Sequence, residues 1–344
     1  MSNSARERPP LVSRRMMIAG AVAAAGALAT GALGGCSSSA SSGASGGGGS
    51  ATPGGASGAT PPGSTDPIAA NVTADPKLHA MLPDSIRSAG MIRVASNIPY
   101  PPWEMYVTAG GSQPTGIDYD LSQAIGAKLG VTARFDQLDF DSIIPAILAG
   151  KEDIVMAGIW DTAVREKALS FVDYARDGLS ILVKKGNPQG IATADDLAGK
   201  SVAVQSSTTE QSDVASWSKK LVSEGKQGIS VVSFPGDSEA LLAVQSGRAD
   251  CRVEATSAAA YAVKTYGDGS EFELVQSPTV AAAFGTGIVG LGVPRQDTAL
   301  LHAIQQAVQA LMTDGTYGKI MDKYGTSVVG ISTAGINQGP KQSS

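Results

Sequence analysis

The chain has 344 residues, of which 42% are hydrophobic and 17% are charged, and its formal net charge is −5. Residues 1–35 contain four arginines and one glutamate, which leaves a charge of −8 on the remaining residues. A chain this acidic is a poor candidate for binding nucleic acid. Beyond residue 35, no apolar run is long and uninterrupted enough to span a membrane.

The first 35 residues are predicted to be a signal peptide. Arg14 and Arg15 precede an Ala/Gly-rich apolar stretch, which is the charge order of an export signal, and twin arginines favour Tat export over Sec export. Leu33-Gly34-Gly35-Cys36 resembles a bacterial lipobox, so we expect cleavage before Cys36, lipidation of its sulfur and anchoring to the outer face of the cell membrane. The alternative is a transmembrane helix over about residues 16–35, whose Gly and Ala content is weakly apolar for a span of ~20 residues.

Residues 36–80 are predicted to be a flexible linker, because 37–66 consist mainly of Ser, Gly, Ala, Thr and Pro. The only later cysteine is Cys251, so the mature chain has no internal disulfide and needs a hydrophobic core. The roughly 260 residues beyond the linker are enough for two lobes.

Strands and helices alternate along the rest of the chain. The apolar periodicity predicts strands at 91–95, 131–135, 179–183, 201–205 and 287–293, and helices at 119–129, 258–266, 298–314 and 317–324. The hydroxyl residues at 206–209 are typical of a helix start. Alternation of this kind predicts an α/β fold with a mostly parallel sheet.

One pattern occurs twice, at residues 142–158 and 239–255. Each copy reads as an apolar helix, a Gly-basic-X-Asp turn and a short apolar strand, which predicts two similar α/β lobes. Because ligands bind outside the carboxyl ends of such strands, we expect 157–160 and 254–256 to face one cleft. The alternative is a common α/β connection that matches by chance.

Several segments, taken in order, resemble the periplasmic solute-binding proteins (family 3 type) that feed polar amino-acid ABC importers. They are 93–103, 116–121, 140–153, Arg165, 201–209, 247–250 and 314–320. The resemblance implies a two-lobe periplasmic binding protein fold of type II, with each lobe a mostly parallel sheet flanked by helices and the ligand cleft between them. It implies that lobe one comprises 85–184 plus 281–326 and lobe two 185–280, followed by a tail at 327–344 whose end we expect to fray.

The implied function is that of a substrate-binding lipoprotein of an ABC importer. It would capture an amino acid or an amino-acid-derived zwitterion by lobe closure and deliver it to a permease in the membrane. We expect a monomer without enzymatic activity, cofactor or metal.

The resemblance also assigns a carboxylate grip. Arg165 matches the family's ligand-binding arginine, and a guanidinium stays charged when it is desolvated. Its alternative role is that of a surface arginine paired with an acidic neighbour. Ala157 and Gly158 would offer backbone groups, and Thr208 and Thr209 would begin a helix whose N-terminal N–H groups suit an anion.

The ammonium site departs from the family, which usually has an aspartate at the position of Asn97, at that of Ala255, or at both. Glu254 is adjacent to the second position and would replace the aspartate, although a one-residue shift along a strand normally reverses the direction of the side chain. The source of the ammonium contact therefore stays open between Glu254 and an aromatic cage.

The cage would consist of Tyr100, Phe140 and Trp160, because three rings around one volume attract a diffuse cation. Such a cage is similar to that of the ectoine-binding members of the family, and it would also suit a betaine. The alternative is that these rings pack in the hinge or core. Trp103 and Glu104 are expected to pack behind the site.

Two other functions remain as alternatives. A cleft enzyme of cyclohexadienyl dehydratase type would use Glu254 as its acid, while a sensor lipoprotein would bind without transport. The chain's two histidines, His79 and His302, fall outside the predicted cleft.

Overall fold

Residues 67–275 and 277–339 are described by the structure, a computed structural model. The predicted signal peptide, Cys36 and most of the predicted linker lie outside the described residues. All described residues belong to one compact unit.

Helices and strands alternate as the sequence predicts. The helices are α1 (Pro76–Met81), α2 (Asp84–Ala89), α3 (Ile117–Leu129), α4 (Phe140–Leu148), α5 (Thr209–Ser223), α6 (Asp237–Gln245), α7 (Thr256–Thr265), α8 (Pro278–Phe284), α9 (Thr298–Thr313) and α10 (Thr316–Lys323). The strands are β1 (Met91–Ser96), β2 (Met105–Tyr106), β3 (Pro114–Thr115), β4 (Thr132–Gln137), β5 (Ile154–Val155), β6 (Trp160–Asp161), β7 (Leu169–Lys184), β8 (Ser201–Gln205), β9 (Ser230–Phe234), β10 (Cys251–Ala255), β11 (Phe272–Val275), β12 (Thr286–Pro294) and β13 (Gly330–Ile336). Among the described helices, none combines the length and the apolar composition needed to cross a bilayer.

Two groups of strands form the sheet, and β7 joins them. In the first group, β1 pairs in parallel with β4 and β5, and β12 pairs antiparallel with β5 and β7. In the second group, β8 pairs in parallel with β9 and β10, while β10 and β11 pair antiparallel with β7.

The sequence did not predict the first half of β7. It placed the lobe boundary between residues 184 and 185, whereas β7 changes its pairing partner earlier in the chain. Gly178 still pairs with β12, but Leu179 pairs with β10. Because Asp173, Arg176 and Asp177 interrupt the apolar pattern, periodicity identified only 179–183 as a strand. The changeover between the two groups therefore lies within β7, six residues before the predicted boundary.

The repeated pattern forms the same local structure in each group. Gly150 and Gly247 adopt positive φ values of 69° and 77° after α4 and α6, a conformation that glycine reaches without a Cβ penalty. The repeat aspartates then bind the start of a neighbouring parallel strand: Asp153 accepts the N–H of Arg93 and Asp250 that of Ser201, both at 2.8 Å. The repeat is therefore structural, with one copy in each group of strands.

The predicted linker and tail each include ordered structure. Within 67–80, α1 begins at the N-cap Asp75, and Ala69 and Leu78 are buried, because apolar residues there cover the core beside α3 and α9. Within 327–339, β13 pairs with β7. The prediction of a flexible segment up to residue 80 is therefore wrong for its described part.

Candidate ligand-binding site

One cavity of about 460 Å³ lies between the two groups of strands, and part of its space opens to solvent. Every residue that the sequence assigned to ligand binding lines this cavity: Asn97, Tyr100, Phe140, Ala157, Gly158, Trp160, Arg165, Thr208, Thr209 and Glu254. The cavity is also lined by residues that the sequence did not assign to ligand binding: Glu104, Ile159, Gln205, Glu210, Asp237, Arg252 and Val253. The structure thus brings the predicted set together, and the role of each as a ligand contact stays a prediction.

Arg165 is held by carbonyl groups from both sides of the cavity. Its Nη1 donates to the carbonyl oxygen of Trp160 at 2.9 Å and its Nη2 to that of Ser207 at 3.4 Å, while its guanidinium lies 5.6 Å from the ring centroid of Phe140. Burial lowers the pKa of Arg165 to about 10, although the negative charge of Glu210 opposes this shift. Arg165 is therefore still positively charged at neutral pH.

The N-terminus of α5 contributes to the same cavity. Thr208 is the N-cap residue: its Oγ1 accepts the N–H of Gln211 at 3.3 Å and donates to the carbonyl oxygen of Gln205 at 2.8 Å. Thr209 donates its hydroxyl to Glu210 at 3.0 Å. The hydroxyl pattern at 206–209 thus correctly predicted a helix start, but Glu210 adds a negative charge that the prediction did not include.

Two glycines set the positions of two aromatic rings. A Cβ on Gly158 would lie 2.8 Å from the Tyr100 ring, and one on Gly287 would lie 1.9 Å from the Trp160 ring. The rings therefore pack directly on glycine backbone. Since the Phe140 ring already lies beneath the guanidinium of Arg165, only part of its face is available for a ligand cation.

Glu254 lines the cavity, although a one-residue shift along a strand normally reverses the direction of the side chain. It shares a face of β10 with Arg252, two residues earlier, because side chains alternate along a strand. Arg252 is 3% exposed and forms buried ion pairs with Asp237 at 2.5 Å and with Glu254 at 3.1 Å.

The second carboxylate oxygen of Glu254, Oε1, has no hydrogen-bond partner among the described residues, and the same holds for Nε of Arg252. Burial raises the pKa of Glu254 to about 8; Arg252 opposes this shift, and the charges of Asp237 and Glu210 add to it. A cation beside Oε1 would favour the ionised form and lower this pKa.

Glu104 lines the cavity rather than lying behind it. Burial, followed by the charge of Asp118, raises the pKa of Glu104 well above its usual range. Asp118 accepts hydrogen bonds from the N–H of Gly158 at 2.7 Å and from the hydroxyl of Tyr174 at 2.5 Å, and burial raises its pKa to about 6. Trp103 packs behind the site as expected, fully buried, with its Nε1 donating to a serine hydroxyl of α7.

A side-chain amide pair connects the two sides of the cavity. Gln205 donates from Nε2 to Oδ1 of Asn97 at 2.8 Å, and Nδ2 of Asn97 donates to the carbonyl oxygen of Leu138 at 2.8 Å. Asn97 therefore presents a neutral carbonyl oxygen where the family usually has an aspartate, and this oxygen already accepts one hydrogen bond.

The C-terminal segment supports the strand that carries Trp160. After β13, the N–H of Gln338 donates to Asp173 and that of Gly339 to Asp161, both at 2.8 Å. A Cβ on Gly339 would lie 2.4 Å from the carbonyl oxygen of Asp161, so this contact requires glycine. Burial raises the pKa of Asp161 to about 7, and the charge of Asp173 adds to the shift.

Three comparisons relate this chain to known proteins. The family model described as "Bacterial extracellular solute-binding proteins, family 3" matches residues 92–327. The arginine-binding protein ArgT of Corynebacterium glutamicum is 29% identical over 266 residues, which cover 77% of this chain and 84% of that protein.

Two solved structures share the fold. An ancestral arginine-binding protein bound to arginine is 35% identical with a TM-score of 0.60, over 68% of this chain and 98% of that chain. An ancestral amino-acid-binding protein, described as a precursor of cyclohexadienyl dehydratase, is 32% identical with a TM-score of 0.61, over 70% of this chain and 98% of that chain. Each of these relatives is described as an amino-acid-binding or arginine-binding protein.

A cavity between two α/β groups that are joined by a shared strand is the architecture of a solute-binding protein, here with the type II periplasmic binding protein fold. The match over residues 92–327 covers well over half of the chain. The chain belongs to the bacterial extracellular solute-binding proteins of family 3.

Proposed function

We propose that this chain is the substrate-binding lipoprotein of an ABC importer for an amino acid or an amino-acid-derived zwitterion. The family membership and the amino-acid-binding relatives support this function. The lobes correspond to the two groups of strands, with lobe one at about 85–184 plus 281–326 and lobe two at about 185–280, adjusted for the changeover within β7.

The observation that carries the proposal is an arginine and a carboxyl group with one unpartnered oxygen, both lining one cavity. Arg165 and the N-terminus of α5 suit a carboxylate. Glu254 lines the same cavity, and its Oε1, which has no partner among residues 67–275 and 277–339, suits an ammonium. An α-amino acid carries both groups on one carbon atom, so one ligand satisfies both positions.

Closure of the lobes would then produce the ligand-bound form that the permease recognises. Gln205 bonds Asn97, and Arg165 bonds Ser207, so contacts from the two lobes meet directly at the cavity. A ligand favours closure only through contacts that the closed form adds. A zwitterion held by Arg165 on one side and Glu254 on the other makes such contacts.

The same proposal includes the membrane anchor. After Tat export, cleavage before Cys36 and lipidation of its sulfur would tether the binding domain to the outer face of the cell membrane. The segment that follows Cys36 would act as the spacer between the lipid and the lobes.

The test is isothermal titration of the full-length chain with the standard amino acids, beside two charge-matched variants. Arg165→Met removes the proposed carboxylate partner, and Arg176→Met removes an exposed arginine of β7 as the control. Hydrogen bonds to charged groups contribute about 1.5–3 kcal/mol, so Arg165→Met should weaken binding by ~10–150-fold. Equal affinity for Arg165→Met and Arg176→Met would refute the carboxylate assignment, and a lack of binding by every amino acid would refute the amino-acid function.

A compatible-solute binder is the second candidate, because Tyr100, Phe140 and Trp160 all line the cavity. Ectoine, glycine betaine and proline betaine therefore belong in the same titration. A quaternary ammonium has no N–H for Oε1 of Glu254, so tight betaine binding that survives Glu254→Gln would favour the cage. Binding of an amino acid without binding of any betaine would favour Glu254 as the partner of the ammonium group.

A cleft enzyme of cyclohexadienyl dehydratase type is the third candidate, because Glu254 has a pKa of about 8 and carries a proton at neutral pH. Chemical conversion of a bound compound, detected by NMR and abolished in Glu254→Gln, would support an enzyme.

A sensor lipoprotein would bind its ligand without transporting it. In that case, deletion of the gene would leave cellular uptake of the ligand unchanged.

A further inference from the structure

We propose that the ligand's side chain ends in a neutral oxygen acceptor, a carboxamide or a ureide, and that Arg252 donates to this oxygen. This inference rests on the proposed amino-acid-binding function. It predicts a ligand that differs from the arginine named for two of the relatives.

Arg252 is a fixed donor in the cavity wall. The side chain is 3% exposed and lines the cavity from β10. Its Nη2 lies 2.5 Å from Asp237 and 3.1 Å from Glu254, and its Nη1 donates to the carbonyl oxygen of Asp237 at 3.4 Å. These contacts hold the guanidinium in place, while the Nε–H has no acceptor within the described ranges 67–275 and 277–339.

A buried N–H donor without an acceptor is costly, so the ligand is expected to supply an oxygen. The α-carboxylate does not serve here, because Arg165 and the N-terminus of α5 receive it. The oxygen must therefore belong to the side chain of the amino acid.

The local charges require that this oxygen be neutral. Asp237 and Glu254 already place two carboxylates on Arg252, so a further carboxylate on the ligand would be repelled by both. A cationic side chain would be attracted by these carboxylates but has no acceptor for Nε of Arg252. A carboxamide or ureide supplies the acceptor without the repulsion, and its N–H groups also suit the neighbouring carboxylates.

The guanidinium of an arginine ligand fails on the same grounds. It presents five N–H donors and no acceptor, so it would leave Nε of Arg252 unsatisfied and add a like charge beside it. L-citrulline has nearly the same shape as L-arginine, but a neutral ureide oxygen replaces one charged nitrogen group. These two amino acids therefore test the inference with little change in volume.

The experiment is isothermal titration of the full-length wild-type chain with L-citrulline, L-arginine, L-glutamine and L-glutamate. We expect citrulline to bind at least tenfold more tightly than arginine, and glutamine at least tenfold more tightly than glutamate. If arginine binds as tightly as citrulline or more tightly, the inference is wrong, although the amino-acid function stands. If no amino acid binds, the proposed function itself fails and the inference fails with it.

A variant then tests whether Arg252 is the cause. Arg252→Lys keeps a positive charge beside Asp237 and Glu254 but removes the Nε donor, and Arg248→Lys makes the same change at an exposed turn position. Arg252→Lys should lower the citrulline-to-arginine affinity ratio about tenfold or more, and Arg248→Lys should leave it unchanged. An unchanged citrulline-to-arginine affinity ratio in a folded Arg252→Lys protein would overturn the assignment of Arg252 as the donor. If that variant does not fold, the comparison of citrulline with arginine on the wild-type chain decides whether the inference stands.

Discussion

Proton release from Glu254 is the most direct consequence of the proposed ammonium contact. Burial raises the pKa of this carboxyl to about 8, so at pH 7 about nine in ten molecules carry its proton. An ammonium beside Oε1 favours the ionised form and lowers the pKa. Binding at pH 7 should therefore release close to one proton per ligand.

The sign of the pH dependence follows from the same shift. Only the ionised carboxylate pairs with the ammonium, so affinity should rise as pH approaches 8 from below. Between pH 6.0 and 7.5 the ionised fraction increases from ~1% to ~24%, which predicts an affinity gain of about 25-fold. Burial sets the position of this transition, which the charge of Arg252 lowers and the charges of Asp237 and Glu210 raise.

Titration calorimetry in two buffers of different ionisation enthalpy counts the released protons. Glu254→Gln removes the titrating group and should abolish both the proton release and the pH slope. Glu239→Gln changes an exposed glutamate of α6 and should preserve both. A wild-type protein that releases no proton at pH 7, or a Glu254→Gln protein that still releases one, would contradict the assignment of the ammonium to Glu254.

Two further predictions concern packing and anchoring. Gly287→Ala should lower the free energy of unfolding by ~1–3 kcal/mol, because the new Cβ would lie 1.9 Å from the Trp160 ring. Gly318 lies inside α10, and a Cβ there would have no atom within 4 Å, so Gly318→Ala should instead raise that free energy by up to ~1 kcal/mol. Urea titration measures the free energy of unfolding of both variants, and equal effects would refute the packing argument. Cys36→Ser should move the chain from the membrane fraction to the soluble fraction, which immunoblotting of separated fractions measures, and a variant that stays with the membrane would contradict lipid anchoring.

Local patterns predicted much of the fold. The Gly-basic-X-Asp repeat and the hydroxyl-rich segment at 206–209 depend on contacts within a few residues, and both form the predicted structure. Strand β8 was predicted at its observed bounds, 201–205. Each of these features rests on backbone conformation and apolar spacing, which a short stretch of sequence determines.

Features that depend on distant partners could not be predicted. Asp173 and Asp177 read as surface residues, yet they are buried in β7, where they accept N–H groups from Gln338 and Ser257. Arg252 likewise reads as a solvent-facing residue until Asp237, 15 residues away, is placed beside it. Its spacing of two residues from Glu254 was the one available signal that both side chains share a face of β10.

The contact between Gly339 and Asp161 has a practical consequence for the use of this protein as a sensor. Because Asp161 follows Trp160 directly, a fluorophore attached near Gly339 would lie beside a tryptophan that lines the cavity. Trp160, one of three tryptophans in the chain, lines the cavity, so its emission should respond both to a ligand and to such a label. This attachment point would allow ligand capture to be followed optically without altering any cavity residue.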